Sequence, residues 1–89
     1  MDNKTKMWQK EMREALESRD VDTFIKFMER WTENGIYDKS IIEDIKSRDK
    51  KLIKGDMCKL IMNIKGISLE TTNWAEEYLD ELGWSYDIF

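Results

Sequence analysis

The chain contains no proline and only four glycines, at positions 35, 55, 66 and 83. Folds built on sheets need many turns, and turns draw heavily on both residues. A chain punctuated this sparsely is confined to helices joined by short connections. Between the glycines, apolar residues recur at three- and four-residue spacing, the period of one helix face. The expected fold is all-α: a compact bundle of four to five short helices with an extended aromatic C-terminal arm, and residues 1–89 forming a single helical domain.

The pattern predicts a first helix over 4–19, with Trp8, Met12, Ala15 and Leu16 on one face. Asp20 or Asp22 caps a second, about 21–34, whose stripe is Val21, Phe24, Ile25, Met28 and Trp31. Asn34-Gly35 supplies its stop. Ser40-Ile41-Ile42-Glu43 matches a capping box and predicts a third helix that buries Ile41, Ile42 and Ile45. Run straight on, that helix would carry Asp49 into its apolar stripe, and a buried unpaired carboxylate is costly. A break is therefore expected near 47–49, with Gly55 as the alternative place for it and Asp56 recapping the chain. A fourth helix, running to Lys65 and ended by Gly66, presents Ile53, Met57, Leu60 and Ile64 and is expected to be central. Ser68, Thr71 or Thr72 caps a last helix, about 70–82, with Trp74, Ala75, Tyr78, Leu79 and Leu82 inward and Gly83 at its end. Trp84 to Phe89 mostly alternate apolar and polar residues, the period of an extended segment.

Several kinds of chemistry are excluded or disfavoured. There is no histidine, which removes the commonest general base and transition-metal ligand. One cysteine without histidine makes no ordinary zinc site. Asp20-Val21-Asp22 begins like a calcium loop, but Phe24 stands at the next ligand position and the loop glycine is missing. No nucleophile elbow, phosphate-binding glycine loop or dinucleotide fingerprint is present. No cofactor or metal is expected, and the chain reads as a non-enzyme. Cys58 reads as a small buried apolar residue, and a lone cysteine suits a reducing cytoplasm. The longest apolar run is Leu60-Ile61-Met62, far short of the roughly 20 residues that span a bilayer. No secretory signal is expected at the N-terminal end.

Three features point to binding. Residues 67–89 hold six acids and no Lys or Arg. On the last helix, Glu76, Glu77, Asp80 and Glu81, with Glu70 near them, share a face turned away from Trp74 and Tyr78. That face is either ordinary solvated surface or a negative patch that steers a basic protein, one that binds nucleic acid among them. Second, Phe27, Trp31, Tyr37, Trp84, Tyr86 and Phe89 exceed what the core of so short a chain requires. They are candidates for a partner-binding or dimer surface, against the simpler reading that they complete the core. Third, residues 46–54 carry five cations and one acid around the expected helix break, and so suggest phosphate contacts by a small helical DNA-binding regulator. The net charge of −4 opposes direct nucleic-acid binding.

In size, acidity and lack of catalytic groups the chain resembles small phage-encoded inhibitors, including some anti-CRISPR and DNA-mimic proteins. The excess of Ile over Leu and of Lys over Arg also fits an AT-rich genome such as that of a low-GC bacterium, one of its phages or a mobile element. The leading expectation is a non-catalytic protein-binding module, an acidic inhibitor or regulator acting by occlusion. The alternatives are the DNA-binding regulator and a structural homodimer, since a domain this small buries only roughly 60–65% of its chain's surface.

Overall fold

Four of the five helices among the described residues start at a side chain that takes up a backbone N–H left without a partner in the first turn. The computed structural model describes residues 2–84. Helix α1 (Asn3–Glu17) follows Asp2, whose Oδ1 accepts the Thr5 N–H at 2.7 Å. Helix α2 (Val21–Glu33) follows Asp20, which accepts both the N–H and the hydroxyl of Thr23, at 3.0 and 2.8 Å. Helix α4 (Lys50–Asn63) is capped by Asp49 through the Lys51 N–H at 2.9 Å. Helix α5 (Leu69–Leu82) is capped by Ser68 through the Thr71 N–H at 3.3 Å. No strand occurs among the described residues.

Helix α3 (Lys39–Ser47) departs from the capping-box expectation. The chain turns into helix at Asp38, whose carbonyl already accepts the Ile41 N–H at 3.0 Å, so Ser40 lies inside the first turn. Asp38 makes no side-chain cap bond. The break between α3 and α4 falls at Arg48–Asp49, where Asp49 avoids the core by serving as a cap. Gly55 lies inside α4 and does not end it; Asp56, instead of recapping the chain, pairs with Arg48 at 2.6 Å. Helix α4 stops at Asn63, short of Lys65, because Ile64 is extended.

Helix α2 is the hub, with α1, α3 and α4 packed against it, and α5 lies along α4. This shifts the expected centre of the fold from the fourth helix to a pair of helices. The buried residues of α4 are Ile53, Gly55, Met57, Cys58 and Ile61, whereas Leu60 and, just past the helix end, Ile64 are only half-buried. With α2 on one side and α5 on the other, α4 buries a wide band, and its centre is displaced from the Leu60–Ile64 line. The junction of α1 and α5 is polar. Ser68 donates its N–H and its hydroxyl to Glu17 Oε1 at 2.9 and 3.1 Å, and Arg19 Nε donates to the buried Thr71 hydroxyl at 3.1 Å. Arg19 takes the left-handed conformation (φ +58°) that turns the chain from α1 into α2.

Candidate functional site

The sequence of α5 divides cleanly by face. Thr71, Ala75 and Leu79 are buried, with Trp74, Tyr78 and Leu82 half-buried beside them. Glu70, Glu76, Glu77, Asp80 and Glu81 are all exposed. The buried face is held by more than apolar contact. The Tyr78 hydroxyl donates to the Lys51 carbonyl at 3.2 Å, and the Lys54 amine lies 4.2 Å from the Tyr78 ring centroid and 5.3 Å from that of Trp74. The acids are thereby carried on a helix whose rotation is fixed. Glu70 meets Arg19 at 3.6 Å while remaining 88% exposed, so this contact is a solvated pair of small energy. Asp80 and Glu81 lie in the last turn of α5, which has no basic residue. There the helix carbonyls already concentrate negative charge, so both acids sit at the unfavourable end of the helix dipole.

Among the described residues, the aromatic candidates Phe27, Trp31, Tyr37 and Trp84 do not form one exposed surface. Phe27 and Trp31 are core residues, 6% and 2% exposed. Because α1 and α3 both pack on α2, its buried stripe is wide enough to take Phe27 as well as Phe24 and Met28. Phe27 sits between the rings of Phe24 and Tyr37, each 6.3 Å away. Tyr37 is half-buried, accepts the Trp8 Nε1–H at 3.1 Å and meets that indole edge-on. Trp84 is half-buried against α4 at Gly55. Tyr86 and Phe89 lie outside the described residues.

Four of the five cations in residues 46–54 are engaged. Lys46 reaches Glu29 at 3.3 Å, Lys50 reaches Asp22 at 3.1 Å, Arg48 holds Asp56, and Lys54 lies on the rings of α5. The basic segment is therefore balanced by acids of α2 and α4 and by the rings of α5. Asp20 and Asp22 are occupied as a cap and an ion pair, and no group of three metal-ligating side chains occurs among the described residues. Burial pushes the Cys58 thiol up to about 11, which leaves it a poor nucleophile at neutral pH. No helix among the described residues is long and apolar enough to cross a membrane.

One concave feature went unseen in the sequence. A cleft of about 550 Å³ opens between α1, α2, α3 and α4 and is lined by Trp8, Met12, Phe24, Met28, Tyr37, Ile41, Ile45, Ile53, Leu60 and Ile64, with Asp44, Arg48, Asp56 and Lys59 among its polar groups. Its signal was present in the spacing of Ile41, Asp44 and Ile45, which share one face of α3 although one of them is charged.

Comparison with known protein families, curated proteins and solved structures gives no match for this chain.

Proposed function

We propose that the protein is a non-catalytic binding module, an acidic inhibitor or regulator that covers a basic surface of a protein partner with the outer face of α5. The observation that supports this reading is the arrangement of Glu70, Glu76, Glu77, Asp80 and Glu81. All are exposed on one helix that carries no Lys or Arg. The opposite face of that helix is fixed against α4, so the charges are held in place before any partner arrives. A preorganised field of one sign accelerates encounter with a basic partner and disfavours acidic ones. A protein whose own ligand is nucleic acid has a basic surface of this kind, and occupying that surface would inhibit it by occlusion.

The test compares partner capture from native host lysate by the wild-type chain and by the double reversal Glu77→Lys/Glu81→Lys, with circular dichroism to show that both are folded. Basic proteins captured by the wild type, released by salt and lost from the reversal support the reading. Capture unchanged by the reversal overturns it.

A further inference from the structure

The cleft lies away from the acidic face, and no residue of α5 lines it. We propose that it is a binding site for a small, uncharged, mainly apolar molecule carrying one hydrogen-bond acceptor. Its volume of about 550 Å³ falls within the roughly 300–1,000 Å³ of small-molecule sites. The floor is Phe24, Met28 and Ile53, which are 3%, 6% and 2% exposed. Trp8, Tyr37 and Leu60 are half-buried in its walls.

Size and shape separate a small molecule from a partner helix. Of the large apolar residues lining the cleft, Ile41 alone is openly exposed, at 42%. A helix is about 10–12 Å across with its side chains and needs a broad apolar trough, whereas the other large apolar residues of this lining are buried or half-buried.

The polar groups fix the charge and the single acceptor. Asp44, Arg48, Asp56 and Lys59 contribute two charges of each sign, and Arg48 and Asp56 already hold each other at 2.6 Å. A charged head group would gain little from this balanced set and would still lose hydration on entry. The Tyr37 oxygen accepts from Trp8 Nε1, which leaves the phenol proton to donate, and no acceptor for it is present among the described residues. Burial holds the phenol above its ordinary range, so it remains a donor at neutral pH.

The experiment uses the full chain and the uncharged fluorophore N-phenyl-naphthylamine, displaced in turn by octanol, octanoate and octylamine. The expected result is saturable one-to-one uptake, with octanol displacing the probe about tenfold more effectively than either charged analogue. Methyl resonances of Ile45, Ile53 and Leu60 should follow the octanol titration. Ile45→Trp and Ile64→Trp each place an indole in the cleft and should abolish uptake without loss of helical signal. Tyr37→Phe should weaken octanol by about two- to tenfold, the worth of one neutral hydrogen bond. The proposal is overturned by any of three results: no saturable uptake by the folded wild type, methyl shifts confined to residues outside the cleft, or preference for octanoate or octylamine over octanol.

Discussion

Trp84 rests its indole ring directly on Gly55, where no other residue would let it lie. A Cβ built on Gly55 would fall within 2.9 Å of three carbons of that ring. The Lys59 amine lies 5.2 Å from the centroid of the same ring, and the backbone N–H of Trp84 donates to the Leu79 carbonyl at 3.0 Å. The end of α5 is thus pinned to the middle of α4. This accounts for a glycine inside a helix, a placement that costs about 1 kcal/mol relative to alanine.

Gly55→Ala should therefore change sign with its background. In the wild type the added methyl displaces the indole, and urea unfolding should show a net loss of about 1–2 kcal/mol, as overpacking does. In a Trp84→Ala background the same substitution meets no ring and should stabilise by up to about 1 kcal/mol through helix propensity. Equal effects in the two backgrounds would show that the ring and the glycine do not interact.

The core makes a second contrast between neighbours in sequence. Ile61 is 1% exposed in the buried cluster, whereas Leu60 is half-buried at the cleft. Ile61→Ala should cost about 2–5 kcal/mol. Leu60→Ala should cost clearly less, because the truncated site opens into existing space. A larger loss at Leu60 than at Ile61 by thermal or urea unfolding would contradict this packing.

Helix number, class and most boundaries were legible in the sequence, because glycine, aspartate and serine mark the ends and the apolar stripes are regular. Asp49 is one such mark: its position in a would-be apolar stripe predicts the break that it caps. Phe27, left outside the expected α2 stripe yet buried, shows the limit of such patterns. A periodic stripe tells which face is apolar, but the width of burial depends on how many helices pack around that face, and α2 has three neighbours. Gly55 invited a local explanation, a kink, but its partner is 29 positions away in the sequence. The cleft is likewise a product of tertiary spacing that no single helix encodes. The acidic face of α5 was readable because exposure, charge and helical period all agree there.

The junction between α1 and α5 predicts acid sensitivity. The Ser68 backbone N–H, followed by its hydroxyl, holds Glu17 below its ordinary value of 4.5. Hydrogen bonds from Thr23 lower Asp20 in the same way, and bonds from Thr5 lower Asp2. A carboxylate with a depressed folded-state pKa contributes stability above its unfolded pKa and loses it as pH falls through the folded value. Stability should therefore be level near neutrality and decline below about pH 4. Glu17→Gln should remove part of that decline, since its amide oxygen still accepts from Ser68 but no longer titrates. An unchanged acid limb in melting temperature would show that Glu17 contributes nothing to it.

The acids at the end of α5 set folding and binding in opposition. Glu81 is exposed in the last turn, where a negative charge faces the negative end of the helix dipole. Glu81→Lys reverses that interaction and should stabilise the fold by about 0.3–1 kcal/mol at low salt. The gain should shrink as salt screens it, with a Debye length of about 10 Å at 0.1 M. If the outer face of α5 binds a basic partner, the same substitution should weaken binding and flatten its salt dependence. Glu11→Lys is the comparison, because Glu11 pairs with Arg30 at 2.8 Å on another face. It should cost some stability and leave partner binding intact. A Glu81→Lys protein that is more stable and binds as tightly as the wild type would mean that the acidic face is ordinary solvated surface. One that is more stable and binds more weakly would mean that this helix end gives up folding energy in order to carry its charge.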